Sequence, residues 1–289
     1  MREGVDGVNM DGSAQRFMRC ATLIEQADGL LITAGAGLGV DSGLPDFRGN
    51  EGFWRAYPAL RHAQLGFQDI ACPDAFRTRP RLAWGFYGHR LNLYRQTVPG
   101  PAIQILRAIA NRVPDGAFVF TSNVDGQFQK AGFTPGQLVE CHGSIHRMQC
   151  LEGCMGDVWP ADSWEPEVDE RACMLLNDPP LCPHCGGVAR PAVLMFGDSE
   201  WIDHGRSLQL ARLQGWRRKV ELLLVIEIGA GTTIPSVRLF SEGQDAPIIR
   251  INPDEAKTAA DRGVSLAMRG VQAMQGIASA LIERGFFDR

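Results

Sequence analysis

The 289-residue chain has no apolar run approaching the roughly 18 residues that a spanning helix needs, so a membrane-spanning protein is not expected. Its start lacks the basic segment leading into an apolar stretch that marks export. Positive charge is not in excess: 29 Lys and Arg stand against 33 Asp and Glu, for a net charge of -4 and a pI near 5.9. Without a broad basic field, direct nucleic-acid binding is not expected. No internal repeat or low-complexity tract is present, and the 33 glycines follow no three-residue period, which excludes a collagen-like rod. At 45% hydrophobic and 21% charged residues, the composition is that of an ordinary globular protein. One large domain, or a domain carrying an inserted module, fits the length. A cytoplasmic protein is the resulting expectation.

What the chain does have is alternation. Phe17, Ala21, Leu23 and Ile24 recur at helical spacing between about 14 and 27, after twelve residues expected to fray. Residues 30–33 then read as a strand that empties into Gly35-Ala36-Gly37, followed by Gly39 and Gly43. Such a turn opens a dinucleotide-binding unit, because backbone amides can approach a pyrophosphate there. Further strands are expected at 117–121, 137–140, 193–196, 221–228 and 247–251, with helices near 100–112 and 203–219. The pattern predicts an α/β fold built on a Rossmann-like, doubly wound parallel sheet. Two segments interrupt it. Residues 50–99 are rich in aromatics and arginine and read as helices and loops. Residues 150–189 hold cysteines, prolines and acidic residues with little apolar periodicity, and such a segment needs a staple.

The cysteines supply that staple. Six of the eight lie between 141 and 185. Cys150-x3-Cys154 and Cys182-x2-Cys185 are two chelating hooks separated by 27 residues, and four thiolates make a closed, structural zinc site. In a chain that is not exported, clustering of this kind points to metal rather than disulfides. His184 and His146 are alternative ligands, while Cys173 and Cys141 are spare, with Cys141 expected to be buried.

Gly35-Ala36-Gly37, continued by Ser42-Gly43-Leu44-Pro45-Asp46-Phe47-Arg48-Gly49, closely resembles the first signature of the sirtuins, the NAD-dependent protein deacylases. The other signatures follow in family order. They are Thr121-Ser122-Asn123-Val124-Asp125-Gly126, His142-Gly143, the four cysteines, Arg190-Pro191-x-Val193-x-x-Phe196-Gly197-Asp198, Ile228-Gly229-Ala230-Gly231 and Ile251-Asn252. The resemblance covers about residues 14–285. It implies an NAD-binding domain of 13–49, 100–149 and 190–289, and a small module formed by a helical insert (50–99) and a zinc-binding insert (150–189).

The same resemblance implies the chemistry. An acyl-lysine carbonyl oxygen attacks the nicotinamide ribose, nicotinamide leaves, and a ribose hydroxyl then attacks the resulting imidate with help from a general base. A histidine suits that task near neutral pH, and His142 is the candidate. Asn123 would orient the ribose and a water, and Asp125 would hold the carboxamide. Gly35, Ala36, Gly37, Asp46, Phe47, Arg48, Ser122, Gly229, Gly231 and Asn252 would contact NAD. Val193, Phe196 and Gly197 would contact an acylated protein or peptide lysine, the implied partner.

The sequence departs from the family pattern at several places. Gly39 replaces a serine, Ser122 a glutamine, Gln127-Phe128 a Leu-His pair, and Ala230-Gly231 a Thr-Ser pair, while Pro235 is displaced by one residue. Thr-x-Asn-Val-Asp-x-Gln-Phe and Glu227-Ile-Gly-x-Gly resemble the macrodomain-associated sirtuins, which catalyse protein ADP-ribosylation and typically lack the histidine kept here. An ADP-ribosyltransferase is therefore the alternative reading, and a non-catalytic NAD-sensing module the third. Finally, Tyr87-x-x-Arg90 matches sirtuins that remove acidic acyl groups such as succinyl or malonyl. On a helix the two residues would share a face and could grip a carboxylate jointly. The competing reading pairs Arg90 with a structural carboxylate while Tyr87 packs.

Overall fold

The computed structural model describes residues 7–45, 49–203, 205–259 and 262–288. Six short strands form one parallel sheet: β1 (Gly29–Ala34), β2 (Ala117–Thr121), β3 (Leu138–Glu140), then, after an intervening module, three more from the C-terminal half. The module contributes β4 (Gly143–Cys150), β5 (Val158–Pro160), β6 (Val168–Asp169), β7 (Met174–Leu175) and β8 (Ala189–Val193). The large sheet is completed by β9 (Leu223–Ile228), β10 (Ile248–Ile251) and β11 (Gly263–Leu266). Its order is β11-β10-β9-β1-β2-β3. The chain starts in the middle, winds outward to β3 and returns to β9 beside β1. The strand order reverses between β1 and β9, which is where a doubly wound sheet opens its ligand crevice.

Side chains along β1 alternate between two cores. Leu30, Ile32 and Ala34 join the core built with the helices Gly7–Gln26, Pro101–Ala110 and Gly270–Glu283. Leu31 faces the other core, with Phe118, Phe120, Val225, Leu213 and Val237. Both faces are covered by helices, so the central strands are buried throughout.

The small module explains the poor periodicity of residues 150–189. Strands β5-β4-β8 form a three-stranded antiparallel sheet, and β6 pairs with β7. Ile145, Met148, Leu151, Ala189 and Val193 of this region share one core with Phe53, Tyr57, Phe76, Trp84, Phe86 and Tyr87 of the aromatic insert. Polar anchors cross the same boundary. Trp84 Nε1 donates to the Ala189 carbonyl (2.9 Å), and Arg81 Nη1 reaches the carbonyls of Leu175, Leu176 and Asn177. The cysteine-bearing segment thus borrows its apolar partners from the helix Pro80–Gln96.

Some expectations need correction. The strand expected at 193–196 is Ala189–Val193, and it pairs antiparallel with β4 outside the large sheet. Helix begins at Gly7, within the twelve residues expected to fray. Strands β4, β5, β6, β7 and β11 come in addition to those expected.

Candidate active site

The crevice is made by two glycine loops meeting back to back. Gly35 donates to the Ile228 carbonyl and Gly37 to the Gly229 carbonyl, each at 3.0 Å. A Cβ on Gly35 would lie 2.6 Å from the Gly229 oxygen, and one on Gly229 (φ +66) would lie 2.3 Å from the Leu38 nitrogen. Neither position can carry a side chain. The rim at the carboxyl ends of β1 and β9 is therefore bare backbone, with Ala36 and Gly231 exposed and Gly37 and Gly229 half-buried. That surface fits a dinucleotide, whose pyrophosphate needs close backbone approach.

The second signature is tied to this rim. Thr121 Oγ1 donates to the Ala34 carbonyl (3.0 Å) and accepts from the Asn123 amide. Asn123 Nδ2 donates to the Gly35 carbonyl at 3.1 Å, and Ser122 N to the Ala34 carbonyl at 3.2 Å. Asp125 is buried; its Oδ1 accepts from the Gln127 amide (2.9 Å). Burial raises its carboxyl pKa above the ordinary range, against the lowering effects of the Gln127 N–H, His146 and Arg90. A Cβ on Gly39 would press on Leu44 Cδ1 at 3.2 Å and stand 3.8 Å from Asp125 Oδ2, so Leu44 fills the place beside this glycine.

His142 lies between β3 and β4. Its carbonyl accepts from Leu194 N (2.9 Å), which sets it beside the segment following β8. Its Nε2 is 3.2 Å from Ser236 Oγ. Burial lowers its pKa from the ordinary histidine value, and the Arg206 guanidinium lowers it further, which favours the neutral ring. Beyond it, Arg190 holds the next turn: Nη2 pairs with Asp198 Oδ1 at 2.7 Å, both side chains fully buried, and Nη1 donates to the Val193 carbonyl. Phe196 N donates to the Ala71 carbonyl, its ring meets Phe67 edge-on, and Gly197 turns with φ +61. Val193 and Phe196 thereby face the aromatic insert.

Asn252 is committed to its own loop. Nδ2 donates to the Ala230 carbonyl (2.8 Å), and Oδ1 accepts from the amides of Asp254 and Glu255. It shapes the Ala230–Gly231 rim from below. Arg238 does the same, with Nη2 at 2.9 Å from both the Ala230 and Glu255 carbonyls. Under it Glu227 and Arg250 form a buried ion pair, with Arg250 Nε 2.7 Å from Glu227 Oε1, and the exposed Glu242 takes Arg250 Nη2 at 2.8 Å. Arg206, Ser236, Arg238, Glu242 and Arg250 carry no signal in the sequence, since an isolated Arg, Glu or Ser looks like a solvated residue, and Glu227 is legible only within Glu227-Ile-Gly-x-Gly.

Tyr87 and Arg90 share the inner face of the helix Pro80–Gln96, and both are buried. Arg90 Nε and Nη2 donate to Tyr94 Oη (2.9 and 2.7 Å), and its guanidinium lies over the rings of Phe86, Tyr87 and Tyr94. Asp46, Phe47 and Arg48 lie outside the described residues.

The four hook cysteines converge, their sulfurs all within 4.8 Å of one another. Cys150–Cys185 and Cys154–Cys182 are 3.7 and 3.6 Å apart, close to the about 3.8 Å edge of a tetrahedron with 2.3 Å zinc–sulfur bonds. The sulfurs fit zinc. Burial raises the Cys182 pKa, but the N–H groups of Cys185 and His184, with the neighbouring thiols, bring it down to about 7. The histidines are elsewhere: His184 faces Asp157 at 3.1 Å, and His146 Nε2 donates to the Asp125 carbonyl at 2.9 Å. Cys141 and Cys173 are buried apart from the cluster.

Comparison with known proteins agrees with this geometry. The model of the Sir2 family matches residues 35–230. The NAD-dependent protein deacylase of Pyrococcus abyssi is 33% identical over 245 residues, covering 83% of this chain and 88% of the relative. That of Aquifex aeolicus is 29% identical over 228 residues, covering 78% and 84%. Among solved structures, a Sir2 homologue–NAD complex aligns with TM-score 0.69 at 22% identity, covering 98% of this chain and 97% of the other. An ADP-ribose complex of a Sir2 homologue aligns with TM-score 0.69 at 24% identity, covering 92% and 96%. These two likenesses establish the fold, and the matched signatures establish the kinship: the chain belongs to the Sir2 family, the sirtuins.

Proposed function

We propose that this chain is an NAD-dependent protein-lysine deacylase that transfers an acyl group to the ADP-ribose of NAD and releases nicotinamide. The observation that carries the reading is His142, whose Nε2 lies 3.2 Å from Ser236 Oγ after the late glycine loop and whose carbonyl is bonded to the segment after β8. Bound NAD supplies the reactive ribose carbon and the hydroxyls. In this reading the chain's own groups do the rest. The bare rim of Gly35–Gly37 and Gly229–Gly231 takes the pyrophosphate, Asn123 and Ser122 border the ribose, and Asp125 receives the carboxamide. The resemblance assigns Asp46, Phe47 and Arg48 to NAD as well, while Val193, Phe196 and Gly197 line the peptide. His142 accepts the hydroxyl proton. Zinc takes no part in the chemistry. Eight thiols, four of them grouped for a metal, suit the reducing cytoplasm.

The test is a panel of acetyl-, succinyl- and unmodified peptides incubated with NAD and read by mass. Equal amounts of nicotinamide, acyl-ADP-ribose and free lysine are expected. Target proteins gaining ADP-ribose without deacylation would replace this reading with the transferase one.

For acyl choice, the Arg90 guanidinium, framed by the rings of Phe86, Tyr87 and Tyr94 and bonded to the phenol of the last, favours an acidic acyl group that can take a charge-assisted grip. Arg90→Met is expected to cut activity on succinyl-peptide by roughly 10- to 100-fold, the equivalent of one charged hydrogen bond. Activity on acetyl-peptide should be spared. Equal loss on both substrates would make Arg90 a structural group.

A further inference from the structure

The late glycine loop departs from the family pattern by the displacement of Pro235, and the residue that follows, the first of the helix Ser236–Glu242, is a serine. Its hydroxyl comes to 3.2 Å from His142 Nε2, across 94 residues of sequence. The two residues belong to opposite halves of the sheet. His142 follows β3 at one edge, whereas Ser236 follows β9, so the contact spans the carboxyl ends of β1 and β2.

Both sides of this contact are fixed. The Leu194 amide binds the His142 carbonyl. On the other side, Arg238 ties the short helix to the Ala230 and Glu255 carbonyls, Ser241 Oγ lies 2.8 Å from Thr33 Oγ1, and Phe240 stacks on Phe120 with centroids 3.7 Å apart. A neutral imidazole has one N–H and one lone pair, and whichever nitrogen donates leaves the other to act as base. A serine oxygen can accept from the ring whether it is neutral or protonated, and it does not compete for the proton taken from substrate.

We propose that Ser236 is a positioning residue for His142: its oxygen accepts the Nε2 proton, which fixes the ring's orientation and tautomer and leaves Nδ1 as the basic nitrogen. The inference rests on the reading of His142 as the base. Ser236 then does for this histidine what a carboxylate does in other catalytic pairs, without bringing a charge into the crevice.

Two measurements test it. In the first, nitrogen NMR of the wild-type protein should show His142 as a single Nε2–H tautomer, and Ser236→Ala should turn it into a mixture. In the second, Ser236→Ala should lower kcat on acyl-peptide by roughly 2- to 10-fold, the value of one neutral hydrogen bond. KM for NAD and for peptide should stay unchanged, and Ser236→Thr should restore most of the rate. A wild-type ring protonated on Nδ1 would overturn the proposal. So would an unchanged kcat in Ser236→Ala, or a fall in the KM for NAD with rising kcat, which would mean that the hydroxyl blocks the nitrogen the substrate needs. If the wild type proves inactive on every acyl-peptide, the functional reading fails, and the NMR result still decides the role of Ser236.

Discussion

His142→Ala is expected to lower deacylation by about 10²–10⁴-fold, the usual cost of losing a general base, while NAD binding stays near that of the wild type. The split is expected because the imidazole is bonded to Ser236 and, through its backbone, to Leu194, whereas the proposed cofactor rim is built from Gly35–Gly37 and Gly229–Gly231. Isothermal titration with NAD and turnover of acyl-peptide, measured on the same preparation, check it. Near-normal turnover would remove the role from His142.

The pH profile follows from the same surroundings. Burial first and Arg206 second lower the His142 pKa below 6.5. In the proposed role His142 is competent when unprotonated, so a lowered pKa extends activity to more acidic solution. The acid limb of kcat/KM should therefore fall below pH 6.5. Arg206→Gln, by removing the positive charge, should move it upward.

Removal of zinc is expected to have the second large effect. Structural zinc sites commonly contribute several kcal/mol to folding, which for a chain of this size corresponds to a fall of roughly 10 °C in melting temperature. Cys182→Ala, which deletes a buried ligand, should reproduce the effect of a chelator. Hydrogen exchange should quicken in 150–188 and stay slow in β1, β2 and β9, because those strands lie in a different core. Metal analysis should give one zinc per chain. Well-folded protein without zinc would refute the assignment.

What could be read in the sequence was local. The central strands announced themselves because both faces are apolar, as in Leu30-Leu31-Ile32 and Leu224-Val225-Ile226. The signatures were legible for a related reason: a glycine that tolerates no Cβ, or two cysteines spaced for one metal, constrains a short stretch of chain. The strand β4 stayed hidden because its register shifts between Ser144 and Met148, and His146 and Arg147 break the alternation. The short strand β11 offers too few apolar residues to be noticed. In the site, Asn252 matches the family pattern, yet its amide is spent on its own loop; only the distance to the Ala230 carbonyl reveals that. Contacts such as His142 with Ser236 or Trp84 with Ala189 join positions roughly a hundred residues apart, and no periodicity or spacing encodes them.

The core shared by the two insertions also limits how this chain can be recombined with its relatives. Trp84, Phe76 and Tyr87 are shaped to Ala189, Met148 and Leu151, and Arg81 is matched to three carbonyls of a loop far along the chain. A chimera that exchanges 150–189 alone would set a foreign loop against these rings, and one that exchanges 50–99 alone would do the reverse. Crossovers that carry 50–99 and 143–193 together, so that β4 and β8 travel with the loop between them, preserve these contacts. For shuffling purposes the two segments are one heritable block, although 43 residues separate them.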